Sequence, residues 1–186
     1  MKSLIFVFII GALATSCNNS RPASNQLTTD ENQTVTVAEV INTGPLKEII
    51  GSYLQLKNDL ASDNAANAAE VGKVLAAVFK DFDKSSLTPA QKKTYEDVEA
   101  DAIENSEHIS ESSGDIAHQR EHFDLLSGDV YELVQTFGSG QDLYWDFCPM
   151  YKNGKGGYWL SETKDIHNPY YGKEMPTCGV IKQEFK

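Results

Sequence analysis

At 186 residues the chain is long enough for one domain with a substantial core, and its net charge of −11 comes from 27 acidic against 16 basic side chains. So acidic a surface repels nucleic acid and anionic lipid headgroups, and excludes both as expected partners. Cations are the class of ligand it favours.

The N-terminal stretch, 1–16, places Lys2 before an apolar run from Leu4 to Ile10 and ends in Leu13-Ala14-Thr15-Ser16 ahead of Cys17. That is the layout of a bacterial signal peptide, too short to remain as a membrane span. Small residues directly before a cysteine resemble the lipobox of bacterial lipoproteins, although Ala14 stands where that motif usually has Leu. The expectation is a lipoprotein lipidated at Cys17 and held at the periplasmic face of the cell envelope, with plain secretion as the alternative. Residues 17–38 are rich in Asn, Ser, Thr and Gln, too polar to bury a core, and read as a flexible tether. Residues 39–186 are the single expected domain, with a helical part over 39–140 and a β-rich lobe over 141–186.

Within the helical part, apolar residues keep a period of 3.6. A first helix is predicted from near Pro45 through Ile49, Ile50, Tyr53, Leu54, Leu56 and Lys57 to Leu60. Ser62-Asp63-Asn64 ends it and caps the second, which carries Val71, Val74, Leu75, Val78 and Phe79; Gly72 is the weak point in its propensity. Thr88-Pro89-Ala90-Gln91 is a capping box with Pro at the first helical position, so a third helix starts there and runs past Tyr95, Val98, Ala102 and Ile109. The fourth follows Ser112-Ser113-Gly114, places Ile116, Phe123, Leu126, Val130, Leu133, Val134 and Phe137 on one stripe, and stops at Gly138-Ser139-Gly140. Four such helices with short connections predict a mainly α fold, an antiparallel up-down four-helix bundle.

Beyond Gly140 the composition turns aromatic. Leu143–Phe147 and Gly157–Ser161 read as strands joined through Asn153-Gly154, a hairpin signal, and the small β-rich lobe they begin is expected to pack on the bundle. The lobe also holds all the sulfur outside Met1 and Cys17, in Cys148-Pro149-Met150 and Met175-Pro176-Thr177-Cys178. Residues two apart on a strand share a face, and the turn residues of Asn168-Pro169-Tyr170-Tyr171-Gly172 can bring Met175 and Cys178 back beside Cys148 and Met150. Thiolates and thioethers are soft donors suited to Cu(I), so the four sulfurs form a candidate copper site. In an oxidising compartment the same two cysteines form a disulfide by default, and the methionines then fill gaps in the core.

Gln119-Arg120-x-x-Phe123-x-x-x-Ser127, Cys148-Pro149-Met150, Trp159-Leu160-Ser161, Asn168-Pro169-Tyr170-Tyr171-Gly172 and Met175-x-x-Cys178-Gly179 together resemble an uncharacterised bacterial envelope domain. That domain occurs as free lipoproteins and fused to periplasmic adaptor subunits of heavy-metal efflux pumps. The resemblance runs from about Leu46 to the C-terminus and implies copper or a similar soft metal, with such an adaptor as partner.

Histidines are the remaining candidate ligands. His118 and His122 are four apart on the fourth helix and share a face, which is metal-ligand spacing. His167 precedes the Asn-Pro turn and lies close in sequence to Met175. His108 is less informative, being about ten residues and roughly 15 Å of helix away from His118. Arg120, the one base among ten acids between Glu96 and Asp124, is expected to pair with a carboxylate or with carbonyls of the C-terminal lobe and so to fix the lobe on the helices.

Signatures of catalysis are missing: no serine nucleophile elbow, no Gly-rich phosphate loop, no His-Glu-x-x-His and no Cys-x-x-Cys. The expected function is therefore non-enzymatic: Cu(I) binding, buffering or transfer to an efflux system through Cys148, Met150, Met175 and Cys178 with a histidine. The alternative is a binding or scaffold module in which Cys148 and Cys178 form a structural disulfide.

Overall fold

The computed structural model describes residues 45–186. The signal-peptide, Cys17 and tether expectations lie outside the described residues. The chain is mainly helical, with long helices α1 (Lys47–Ala61), α2 (Ala65–Lys80), α3 (Pro89–Glu111) and α4 (Ile116–Phe137), followed by strands β1 (Leu143–Cys148), β2 (Gly157–Ser161) and β3 (Val180–Phe185). No helix among the described residues is long and apolar enough to cross a membrane.

Each helix starts where its capping chemistry puts it, α1 excepted. Asn64 caps α2 by accepting from the backbone of Asn67, Thr88 and Gln91 close the capping box of α3 around Pro89, and Asp115 caps α4 by accepting from His118 N. Pro45 does not open α1: it lies two residues before Lys47, and Leu46 stands at the cap without a side-chain bond. The predicted stripe of α4 is buried through Phe123, Leu126, Val130, Leu133 and Val134.

Of the apolar residues expected along α2, Leu75 and Phe79 are buried and Val71 and Val78 half-buried against the core, but the innermost face is made of small residues. Ala68, Ala69, Gly72, Leu75, Ala76 and Phe79 turn inward, while Val74 is exposed. The reason is close approach to α3. A Cβ built on Gly72 would stand 2.9 Å from the Ser106 carbonyl oxygen and 2.9 Å from Ile109 Cγ2.

Along α3 and α4 the bonded pairs run in opposite order: Thr94 with Thr136, Asn105 with His122, and the Ile109 carbonyl with Gln119.

In the sheet, β1 is central and antiparallel to both neighbours, in the order β2-β1-β3. The β1–β2 connection is longer than a two-residue hairpin. It turns through Lys152, Asn153 and Gly154, all in the left-handed region at φ 51°, 57° and 88°. β3 has no counterpart in the sequence reading. Its residues alternate only between exposed and half-buried, so it exists through its pairing with β1.

Sheet and helices share one core. Tyr53 of α1 stacks on Phe123 of α4 at 5.2 Å between ring centroids. Its hydroxyl bonds Ser127 Oγ at 2.8 Å and accepts from the Leu160 amide of β2 at 3.1 Å. Fully burying each such large side chain contributes about 1.5–3 kcal/mol.

Candidate metal centre

The turn between α3 and α4 brings together residues that a helix ruler separates. His108 lies in the last turn of α3, and His118 and His122 in the first two turns of α4. Between them the chain reverses at Ser112–Asp115, so the 15 Å expected along one continuous helix does not apply and His108 belongs to the cluster after all. The His108 and His122 rings stack at 4.4 Å and 4°, and His118 meets His122 edge-on at 4.6 Å. One ring nitrogen from each of the three lies within 4.8 Å of the others.

Hydrogen bonding orients one of these rings, His122. His122 Nδ1 is 2.9 Å from Asn105 Oδ1, which as an acceptor keeps the proton on Nδ1 and leaves the Nε2 lone pair available. His118 Nδ1 lies 3.5 Å from the exposed Glu121 carboxylate. The two Nε2 atoms face each other at 3.2 Å. Two nitrogens bound at about 2.0–2.1 Å to one tetrahedral ion stand about 3.3–3.4 Å apart, so this spacing is that of ligands sharing a cation. A shared proton is the competing way to satisfy both lone pairs.

Electrostatics favour the neutral, ligating form. Burial lowers the pKa of His122, and the neighbouring His108 and His118 lower it further. Glu104 lies 3.7 Å from His108 Nε2, and Asp101, Glu104 and Asp129 line a groove that runs on from His122. Asp101 and Glu104 make the approach to the imidazoles negative, while burial, with Asp101 and Glu132, pushes Asp129 up to about 7.

The two cysteine sulfurs are brought together at one end of the sheet. Cys148, at the end of β1, is buried, Cys178 is half-buried, and their Sγ atoms are 3.0 Å apart. Met150 is exposed and Met175 half-buried, and the Met150 carbonyl accepts from Tyr171 Oη. His167 is exposed and belongs to no cluster of ligating side chains among the described residues.

Arg120 does both things expected of it. It donates to the Pro169 carbonyl at 2.7 Å and the Leu60 carbonyl at 3.0 Å, and pairs with Asp63 at 2.7 Å. It thus ties α4 to the end of α1 and to the Asn-Pro turn of the lobe.

One charged constellation escaped the sequence reading. Lys57 of α1, fully buried, pairs with Glu162 at 2.7 Å beside Asp146 of β1, whose two carboxylate oxygens are buried without a hydrogen-bond partner. Burial pushes Asp146 up to about 7, with Lys57 pulling down and Glu162 pushing up. Burial also works to raise Glu162, but Lys57 and Asn58 outweigh it and hold that carboxyl below its ordinary range. Helical period placed Lys57 along the first helix without marking it as buried. Its partners, about a hundred residues away, carried no signal.

A family described as a protein of unknown function, DUF3347, matches residues 49–142, just over half of the 186 residues. The match runs from within the first turn of α1 through α4, covers the histidine cluster, and ends before Cys148. No curated protein and no solved structure matches the chain.

Proposed function

We propose, for a chain that belongs to the family DUF3347 and inherits no described activity from it, that it is a non-enzymatic metal-binding protein with its site at His108, His118 and His122. The observation that carries this reading is the 3.2 Å convergence of His118 Nε2 and His122 Nε2, with His122 Nδ1 held by the Asn105 Oδ1 acceptor. Imidazole suits Cu(II), Zn(II) and Ni(II), and by the usual order of divalent affinities Cu(II) binds tightest. Three protein ligands leave a fourth position open, as a site that accepts and releases its ion requires.

The helices that carry the site are read as an up-down bundle, a reading supported by the opposite order of the bonded pairs along α3 and α4. The role we assign is buffering or handing on of a copper-type cation at the cell envelope, where the signal-peptide-like N-terminus would place the protein as a lipoprotein. A periplasmic adaptor of a heavy-metal efflux pump is the proposed acceptor.

Competition titration of the purified protein with Cu(II) and Zn(II) against a chromophoric chelator tests the reading. One equivalent is expected to bind at the histidines, with at least a tenfold loss of affinity in His118→Ala and His122→Ala and a smaller loss in His108→Ala. Equal affinity in all three variants, or no competition with the chelator, overturns it.

A further inference from the structure

We propose that Cys148 and Cys178 are a modification site, joined by an intramolecular disulfide that staples the end of β1 to the loop entering β3. Two thiolates bound to one ion at about 2.3 Å stand about 3.8 Å apart in a tetrahedral arrangement and farther in a linear one. At 3.0 Å the two sulfurs are closer than that, and need to close by about 1 Å to reach bonding distance.

The surrounding bonds hold both sulfurs in place. Asn168 Nδ2 donates to the Cys178 carbonyl at 2.6 Å, and the Asn168 backbone amide donates to Pro176 O at 2.9 Å. Asn168 Oδ1 in turn accepts from the amides of Tyr170 and Tyr171. Tyr171 Oη reaches back to the Met150 carbonyl, and Gly179 packs against Trp159. The loops bearing the two cysteines are thus locked to one another by bonds that do not involve sulfur. The covalent bond forms within a geometry already built.

The order of steps follows from exposure. Cys148 is fully buried, whereas Cys178 is half-buried and accessible. A small-molecule or protein disulfide is attacked by the Cys178 thiolate, giving a mixed disulfide at Cys178 and releasing one thiolate. The Cys148 thiolate then attacks the Cys178 sulfur, forming the internal bond and releasing the second thiolate. The two protons lost by the cysteines are taken up by the two released thiolates, and the incoming disulfide is the species reduced. The hydrogen bond to Cys148, burial and the Cys148 charge raise the Cys178 pKa, against a lowering hydrogen bond from the Met150 backbone.

The test equilibrates the full chain with oxidised and reduced glutathione, quenches with acid, alkylates, and maps unreduced peptides by mass spectrometry. The expected product links the Cys148 peptide to the Cys178 peptide with loss of two hydrogens. In Cys148→Ala the glutathione adduct is expected at Cys178, and in Cys178→Ala the folded protein is expected to leave Cys148 unmodified. The proposal is overturned if both thiols of the unaltered chain stay alkylatable, if either pairs with Cys17, or if the adduct forms on Cys148 in the folded protein. The unaltered chain alone decides the pairing, so misfolding of either variant does not protect the proposal. The histidine site does not enter the result, and its variants are expected to give the same peptide map.

Discussion

At His122 a single amide decides which nitrogen faces the cluster. Asn105 Oδ1 accepts from Nδ1 and turns Nε2 toward His118, so Asn105→Leu should keep all three imidazoles yet weaken the cation by about tenfold. Competition titration checks this, with circular dichroism confirming the fold. Protons compete with the cation for the same lone pairs, so affinity should fall steeply below about pH 6. His122, whose pKa is lowered, is the ring whose ligation survives to lower pH than an ordinary imidazole allows. Titrations at pH 7.5, 6.5 and 5.5 read this directly. Asp146 supplies a pH effect on stability of its own. Its folded-state pKa, about 7, lies above that of the unfolded chain, so its contribution is fully present below the unfolded value and is lost as pH rises through about 7. Asp146→Asn should therefore gain stability relative to the unaltered protein as pH rises from 5 to 8, measured as the difference in urea midpoints. A constant difference across that range would exclude ionisation of Asp146 as the cause.

Among the elements, α2 and α3 are set by contact as much as by propensity. In a helix interior Gly is about 1 kcal/mol worse than Ala, and by that measure Gly72→Ala should stabilise. The 2.9 Å approach of a Cβ to backbone of α3 reverses the sign, and the substitution is expected to cost about 1–3 kcal/mol in denaturant unfolding. Thr88→Ala removes half of the capping box of α3 and should cost about 1 kcal/mol. These two positions mark what was legible in the sequence. Thr88-Pro89-Ala90-Gln91 is a local signal, read correctly because the bonds it makes are three residues apart. Gly72 was read as a propensity defect because its neighbour lies on another helix. β3 escaped for the same reason, since its pairing partner β1 is over thirty residues earlier and its own alternation is shallow.

Across the whole molecule, Arg120 connects the helices to the lobe. Its guanidinium serves Leu60 O, Asp63 and Pro169 O, and it also stands against Gly172, whose φ of +52° and lack of a side chain make room for it. Arg120→Ala should cost about 2–4 kcal/mol, because it leaves two carbonyls and a carboxylate without their charged donor. Lysine should recover only part of that, having no planar fork to span the three acceptors. Fluorescence of Trp145 and Trp159 in the lobe, followed alongside helical circular dichroism, reports whether lobe and helices still unfold together. Coincident transitions are expected for the unaltered protein, because Tyr53, Phe123, Leu160 and Trp159 belong to one core.

Sequence alone determined the helix starts after Ser62-Asp63-Asn64, at Thr88 and after Ser112-Ser113-Gly114, the buried stripe of α4, the two aromatic strands, and which residue types were available as ligands, since each of these depends on neighbours within about one turn or one strand. Tertiary structure decided which of them meet. Reversal of the chain between α3 and α4 placed His108 against His118 and His122, and folding of the Asn-Pro turn placed Cys178 against Cys148. It also buried Lys57 with Glu162 and Asp146. The physical reason is common to all three: spacing along the chain measures distance only while the backbone keeps one direction, and each of these groupings joins segments separated by at least one reversal of the chain.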